Sequence, residues 1–201
     1  NKLIKQVEKK KSFLNEYFET FVYNIVTKGI KKGEKFKPIK NSFVKNIPID
    51  WSVKKLKYVV EKILDNRGKT PPYTQEGIPM LEIPNVTKGS KNPHLKFEKF
   101  VEPNLVKEFE RDKIQKNDIL ISTVGATSGK VVLIEKDPNY FICQNIVGLR
   151  FNDEIDPNYF YYFLSSKFFK NSLERINKSN TIDNLKVSIF VNVKCLIPPI
   201  N

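Results

Sequence analysis

Gly125-Ala126-Thr127-Ser128-Gly129-Lys130 is the stretch whose residue types and spacing could do chemistry. Two glycines admit positive φ and let another backbone approach closely. Thr127, Ser128 and Lys130 add two hydroxyls and a cation, a set suited to a phosphate or to the polar edge of a base. This is not a nucleotide-binding glycine loop. Three residues separate its glycines and Val131 follows the lysine, whereas that loop needs four and then Ser or Thr for the metal. On this stretch alone, a plain hairpin turn and a ligand-facing loop stand side by side.

Other chemistries find little support. A metal-dependent nuclease needs clustered carboxylates. Here the acids are scattered, and Asp153, Glu154 and Asp156 stand at a predicted helix start, where acids complement the helix dipole. The single histidine, His94, lies beside Pro93 in a loop, so Ser-His-Asp catalysis would rest on it alone. Cys143 and Cys195 are far apart in apolar settings with no CxxC, which argues against zinc and fits two buried thiols in a reducing cytoplasm. Asp137-Pro138-Asn139-Tyr140 and Asp156-Pro157-Asn158-Tyr159 repeat one tetrapeptide. Each has Asn where the amino-methyltransferase signature has its second proline, so both read as turn and cap chemistry. No catalysis, metal or cofactor is expected of this chain.

Charge points elsewhere. The 201 residues carry a formal net charge of +13 and a pI of about 9.6, which suggests a polyanion partner. The alternative is a lysine-rich surface that only keeps the protein soluble. The loops supply candidates: Lys69, Lys88, Lys91, Lys130 and Lys178 for phosphates, Arg67 for guanine, and Gln75, Asn85 and Asn180 for adenine. Tyr73 could stack, and Thr70, Thr87, Thr127, Ser128 and Ser179 add hydroxyls in the same loops. Arg111, Arg150 and Arg175 read as structural.

The elements that must hold these loops follow from periodicity. Residues 1–28 read as a helix, with Leu3, Val7, Leu14, Phe18, Phe21 and Ile25 on one stripe, interrupted at Lys10 and Lys11, and with Gly29 as its C′ residue. Such a helix outreaches a small domain, and its stripe suits a coiled coil; the alternative is a helix folded back on its own domain. Residues 29–46 read as a basic linker and 47–201 as a recognition domain. Ser52 to Asp65 shows helical periodicity but could be a strand near Val59. Strands are predicted over 77–83, 97–101 and 140–151, and a short helix over 104–111. Ile119–Ile121 and Val131–Ile134 flank the glycine loop as strands buried on both faces. Asp156 caps a helix that starts at Pro157 and runs through Ile176. Leu185–Ile189 and Val191–Ile197 read as closing strands. The fold class is α/β of the α+β type, a mixed sheet behind a long N-terminal helix. No run approaches the ~18 apolar residues of a membrane span.

IPIDW at 47–51, RGKTPPYTQEGIPMLEIPNVTKG at 67–89, DILISTVGATSGKVVLIE at 118–135, QNIVGLRF at 144–151, DPNYFYYFL at 156–164 and LKVSIFVNVKCLIPP at 185–199 carry a resemblance by their order and spacing. The chain resembles the specificity (S) subunit of type I restriction-modification systems. KKKSFLNEYFETFVYNIVTKGI at 9–30 is similar to the end of that family's helical spacer. The resemblance implies a target-recognition domain on a spacer helix, reading one half of a split double-stranded DNA target. It implies methyltransferase and restriction subunits as partners that do the chemistry, and self-association or pairing with a second spacer helix. With one recognition domain and no second spacer helix after Pro199, the chain is expected to be a fragment, a truncated product or a half-subunit. Relatives often carry Gln in the closing loop where this chain has Ser179-Asn180-Thr181, so that role is not carried over. Two other readings remain: an assembly module that recruits a partner through its helix and binds DNA non-specifically, and the recognition half of a fused restriction enzyme.

Overall fold

A computed structural model describes residues 2–40, 44–66, 68, 70–86, 90–110, 113–125, 128–176 and 185–200. Helix α1 (Lys2–Lys28) has no internal proline or glycine. It ends at Gly29, whose φ of +74° and N–H bond to the Ile25 carbonyl at 3.0 Å form a left-handed C-terminal cap. At 1.5 Å per residue α1 is roughly 40 Å long, yet its only buried residues are Val22, Val26 and Thr27, near its C-terminus.

The stretch expected as a linker is partly ordered into a ribbon. β1 (Phe36–Pro38) pairs antiparallel with β2 (Asn46–Pro48), with Lys37 opposite Ile47. Ile47 is fully buried and fixes the ribbon to the core. β3 (Ser52–Lys55), one 3-10 turn at Leu56–Tyr58 and β4 (Val60–Asp65) follow. The extended reading of this stretch therefore holds over the helical one.

Next come β5 (Ile78–Leu81), a 3-10 turn at Ile83–Asn85, β6 (Phe100–Val101) and α2 (Pro103–Phe109). β7 (Ile119–Ser122) and β8 (Val131–Leu133) form the expected hairpin. The β-favouring run 140–151 divides into β9 (Phe141–Ile142) and β10 (Ile146–Phe151), and each half serves a different sheet: β9 pairs parallel with β5, while β10 lies antiparallel between β4 and β7.

The aromatic helix is two helices, α3 (Pro157–Ser165) and α4 (Lys167–Ile176). Asp156 caps α3 as expected, accepting from the Tyr159 N–H at 2.7 Å. The break at Ser166 has a local cause: its hydroxyl donates to the Phe163 carbonyl at 2.6 Å and accepts from the Phe169 N–H at 3.2 Å, so it competes with the backbone ladder. The segment read as a strand over Leu185–Ile189 instead forms α5 (Val187–Phe190). β11 (Lys194–Ile197) then pairs with β3.

The main sheet has strand order β4-β10-β7-β8, and away from its edge strand β4 it is buried on both faces, as alternation along β7 shows. Ile119 and Ile121 join the core containing Phe160, Phe163 and Phe169 of α3 and α4; Leu120 joins the opposite core with Met80, Leu81 and Phe141. Gly148, in the centre of β10, is needed for this packing. A Cβ there would lie 2.8 Å from Leu64 Cδ1 and 3.2 Å from Leu120 Cδ2. The root of α1 packs on α3, where Tyr159 sits edge-on to Trp51 at 5.8 Å and donates to the Leu196 carbonyl at 2.7 Å. Among the described residues, no helix is long and apolar enough to cross a membrane.

Candidate nucleic-acid interface

The antiparallel register brings four strand ends to one edge of the main sheet. β4 and β7 finish there, at Asp65 and Ser122, and β8 and β10 begin there, at Val131 and Ile146; Val147 lies opposite Asp65, Ile146 opposite Ser122 and Val131 opposite Ile121. The segments leaving these ends are then tied together. Thr123 donates from its N–H and its hydroxyl to the Asn145 carbonyl at 2.9 and 3.0 Å. Leu185 donates from its N–H to the Thr123 carbonyl at 2.7 Å, so the chain resumes after residue 184 beside the glycine loop. The buried Asn66 amide donates to the Ile142 carbonyl at 3.1 Å, fixing the start of the 66–77 segment against the 143–145 turn.

Among the predicted contact residues, this edge gathers Thr70, Tyr73, Ser128 and Lys130. Thr70 and Tyr73 are exposed and border a cavity with Gln144 and Asn145. Gly129, at φ +82°, donates to the Ser122 carbonyl at 2.8 Å and turns the chain so that Lys130 enters β8 half-buried. The Ser128 hydroxyl is buried and has no hydrogen-bond partner among the described residues.

Two candidates lie elsewhere. Asn85 is withdrawn from any ligand: it is 4% exposed, its carbonyl oxygen accepts from the Glu82 N–H at 2.8 Å, and its amide donates to the His94 and Lys96 carbonyls at 2.6 and 2.8 Å. It brackets a loop, and both of its amide hydrogens are already donated, so no donor is left for the bidentate contact with adenine. Lys91 lies along β8, its carbonyl accepting from the Leu133 N–H and its ammonium 2.6 Å from the Glu135 carboxylate. Hydrogen bonding from Lys91 holds Glu135 below the usual carboxylate range. Arg67, Lys69, Thr87, Lys88, Thr127, Lys178, Ser179 and Asn180 fall outside the described residues, as does Arg111.

Several residues of this edge escaped the sequence reading. Thr123, Gln144 and Asn145 form the seam, and the polar pair Gln144-Asn145 inside an apolar run was the available signal. Lys99 and Glu82 were also missed. The Lys99 ammonium lies 2.7 Å from Glu82 and 4.5 Å from the Tyr73 ring centroid, and the Glu82 hydrogen bond raises its pKa. These partners are far apart in sequence, so no local pattern announces them. Arg150 is structural as expected: its guanidinium binds the fully buried Asp118 carboxylate through two hydrogen bonds of 2.9 and 2.8 Å.

The helix stripe is a second surface. Leu3, Val7, Leu14, Phe18 and Phe21 are all exposed, by 51% or more, while Ile25 is half-buried. Tyr17 stacks on Phe21 at 6.4 Å beside them. Val22, Val26 and Thr27 face the domain; at about 100° per residue Val22 lies about 40° from Phe18, so the exposed stripe adjoins the domain-facing side at the helix root.

Comparison with known proteins gives a consistent result. The family model described as Type I restriction modification DNA specificity domain matches residues 48–201. The Type I restriction enzyme MjaVIII specificity subunit of Methanocaldococcus jannaschii is 24% identical over 201 residues, covering 98% of this chain and 46% of that protein. The crystal structure of the HsdS subunit from Thermoanaerobacter tengcongensis superposes with a TM-score of 0.57 at 16% identity, covering 98% of this chain and 42% of that one. A chain from work on complex assembly and conformational transition of the type I R-M system gives 0.54 at 18% identity, covering 98% and 45%. The chain thus spans a little under half the length of these relatives.

Proposed function

The chain belongs to the type I restriction-modification DNA specificity domain family, and from that premise we propose that it reads one half of a bipartite double-stranded DNA target. The edge carrying Thr70, Tyr73 and Lys130 faces the duplex, and Arg67, Lys69, Thr127, Lys178, Ser179 and Asn180 are further contacts in this reading. The helix stripe docks a second spacer helix and thereby helps to position methyltransferase and restriction subunits in a cytoplasmic complex. The chain itself has no catalytic role. What supports this reading is the convergence, at one end of the main sheet, of the segment leaving β4, the loop joining β7 to β8 and the segment entering β10. A rigid scaffold that holds out several polar loops suits base readout, because specificity depends on holding hydrogen-bonding groups in fixed register. The charge of +13 supplies affinity by counterion release.

The test is selection from a random duplex library with this chain at two salt concentrations. An enriched motif of about three to five base pairs that survives the higher salt is the expected result. A fall of roughly 10³ to 10⁵ in affinity between 50 and 200 mM salt with no enriched motif means phosphate contacts alone, and overturns the proposal.

A further inference from the structure

Beside the 66–73 segment lies a cavity of about 200 Å³, with Met80 and Phe141 among its apolar lining and Thr70, Tyr73, Gln144 and Asn145 among its polar lining. Glu82 and Lys99 also line it. Glu82 follows β5 and Lys99 precedes β6, and the Met80 N–H donates to the Lys99 carbonyl at 2.9 Å. Both side chains are held from more than one side. The Glu82 carboxylate also caps the 83–85 turn by accepting from the Asn85 N–H. The Lys99 ammonium sits between that carboxylate, at 2.7 Å, and the Tyr73 ring, 4.5 Å from its centroid.

Stability gives little reason for this arrangement. A partly exposed ion pair contributes about 0–1 kcal/mol, and the Lys99 and Glu82 side chains are 39% and 23% exposed. Recognition gives a better one. An ammonium has three donors and a carboxylate about four acceptor sites, so capacity remains on both after they pair. A donor fixed beside an acceptor is complementary to a base edge that offers an acceptor beside an amine. On the major-groove edge of a single base only adenine presents that pattern, at N7 and N6; guanine offers two acceptors, cytosine an amine, and thymine an acceptor and a methyl. Holding a long, flexible lysine in place beforehand also lowers the entropy cost of binding.

We propose that the Lys99–Glu82 pair, set against the Tyr73 ring at this cavity, determines specificity by reading a base edge that carries an exocyclic amine beside an acceptor. This assignment rests on the DNA-reading function proposed above. The test repeats the library selection with the full chain as wild type, Lys99→Met and Glu82→Gln, with thermal unfolding measured alongside. Wild type should enrich adenine at one position. Each variant should lose about 5- to 150-fold discrimination at that position, with off-motif affinity unchanged. If Glu82→Gln also loosens the 83–85 turn, seen as a lower Tm, Lys99→Met decides the matter, because it leaves that cap in place. A motif retained by Lys99→Met overturns the assignment and leaves the proposed function standing. Uniform weakening on every sequence with a shallower salt dependence makes Lys99 a phosphate contact and overturns it equally. A wild type that enriches no motif overturns both.

Discussion

Replacing Arg150 with Met tests the scaffold at the end of the main sheet opposite the loop-bearing edge. Asp118 is fully buried, and its carboxylate accepts from Arg150 Nε at 2.9 Å, from Arg150 Nη2 at 2.8 Å and from the Gln115 N–H at 2.8 Å. The guanidinium also donates to the Lys113 carbonyl at 2.9 Å. Met keeps much of the aliphatic stem and removes the cation, which leaves a buried carboxylate with one of its three donors. Breaking a buried pair from one side costs about 3–5 kcal/mol. For a chain of this size that corresponds to a fall of roughly 6–20 °C in Tm. Urea unfolding followed by circular dichroism, with calorimetry in parallel, measures the loss, and the slope with urea should not change. Adding Asp118→Asn to Arg150→Met should recover stability relative to Arg150→Met alone, because the stranded charge is gone. A loss below about 1 kcal/mol, the size of a surface pair, refutes the reasoning, as does a double variant no more stable than Arg150→Met.

Two further outcomes follow from the same geometry. Phe18→Ser with Phe21→Ser should abolish association with a partner spacer helix or methyltransferase subunit in size-exclusion chromatography. Both side chains are more than half exposed, so the monomer's stability should change by about 0.5 kcal/mol or less per site; association that survives, or a large fall in Tm, contradicts the helix assignment. The second concerns pH. Burial pushes the Cys143 thiol from 9.0 up to about 11 and the Tyr140 phenol from 10.0 up to about 12. The unfolded chain therefore releases these protons at lower pH than the folded one, and stability present below pH 9 falls as pH rises toward 12. Each group accounts for about 2–3 kcal/mol. Urea midpoints that stay flat from pH 8.5 to 11.5 contradict this burial.

Where a residue's role is set by its near neighbours in sequence, it could be read in advance. The three-four spacing of Leu3 to Ile25, the Asp156-Pro157 cap and the branched residues either side of the glycine loop all depend on local periodicity or capping. Where the role is set across the fold, it could not. Asn85 looked like a loop amide free for adenine, but its partners are Glu82, His94 and Lys96. Gln144 and Asn145 divide one β-favouring run because its halves pair with different sheets. Leu185–Ile189 has strand composition, yet three residues of it turn as α5, with the Ile189 and Phe190 N–H groups both donating to the Lys186 carbonyl. The Lys99–Glu82 pair spans two strands and a 3-10 turn, so only the fold brings it to Tyr73.

The root of α1 carries a mechanical consequence. Val22 and Val26 are buried in the same core as α3 and the main sheet, and the Tyr159 hydroxyl lies 3.4 Å from the Val26 carbonyl. The helix and the loop-bearing edge are therefore clamped together at the short buried end of α1, and a free arm of roughly 30 Å extends from the clamp. A tilt of about 6.5° at the clamp displaces the tip by roughly 3.4 Å, one base-pair step of a duplex. Under the proposed function, small losses of packing around Tyr159 and Trp51 would thus shift the far end of the helix by a distance comparable to one base-pair step relative to this face.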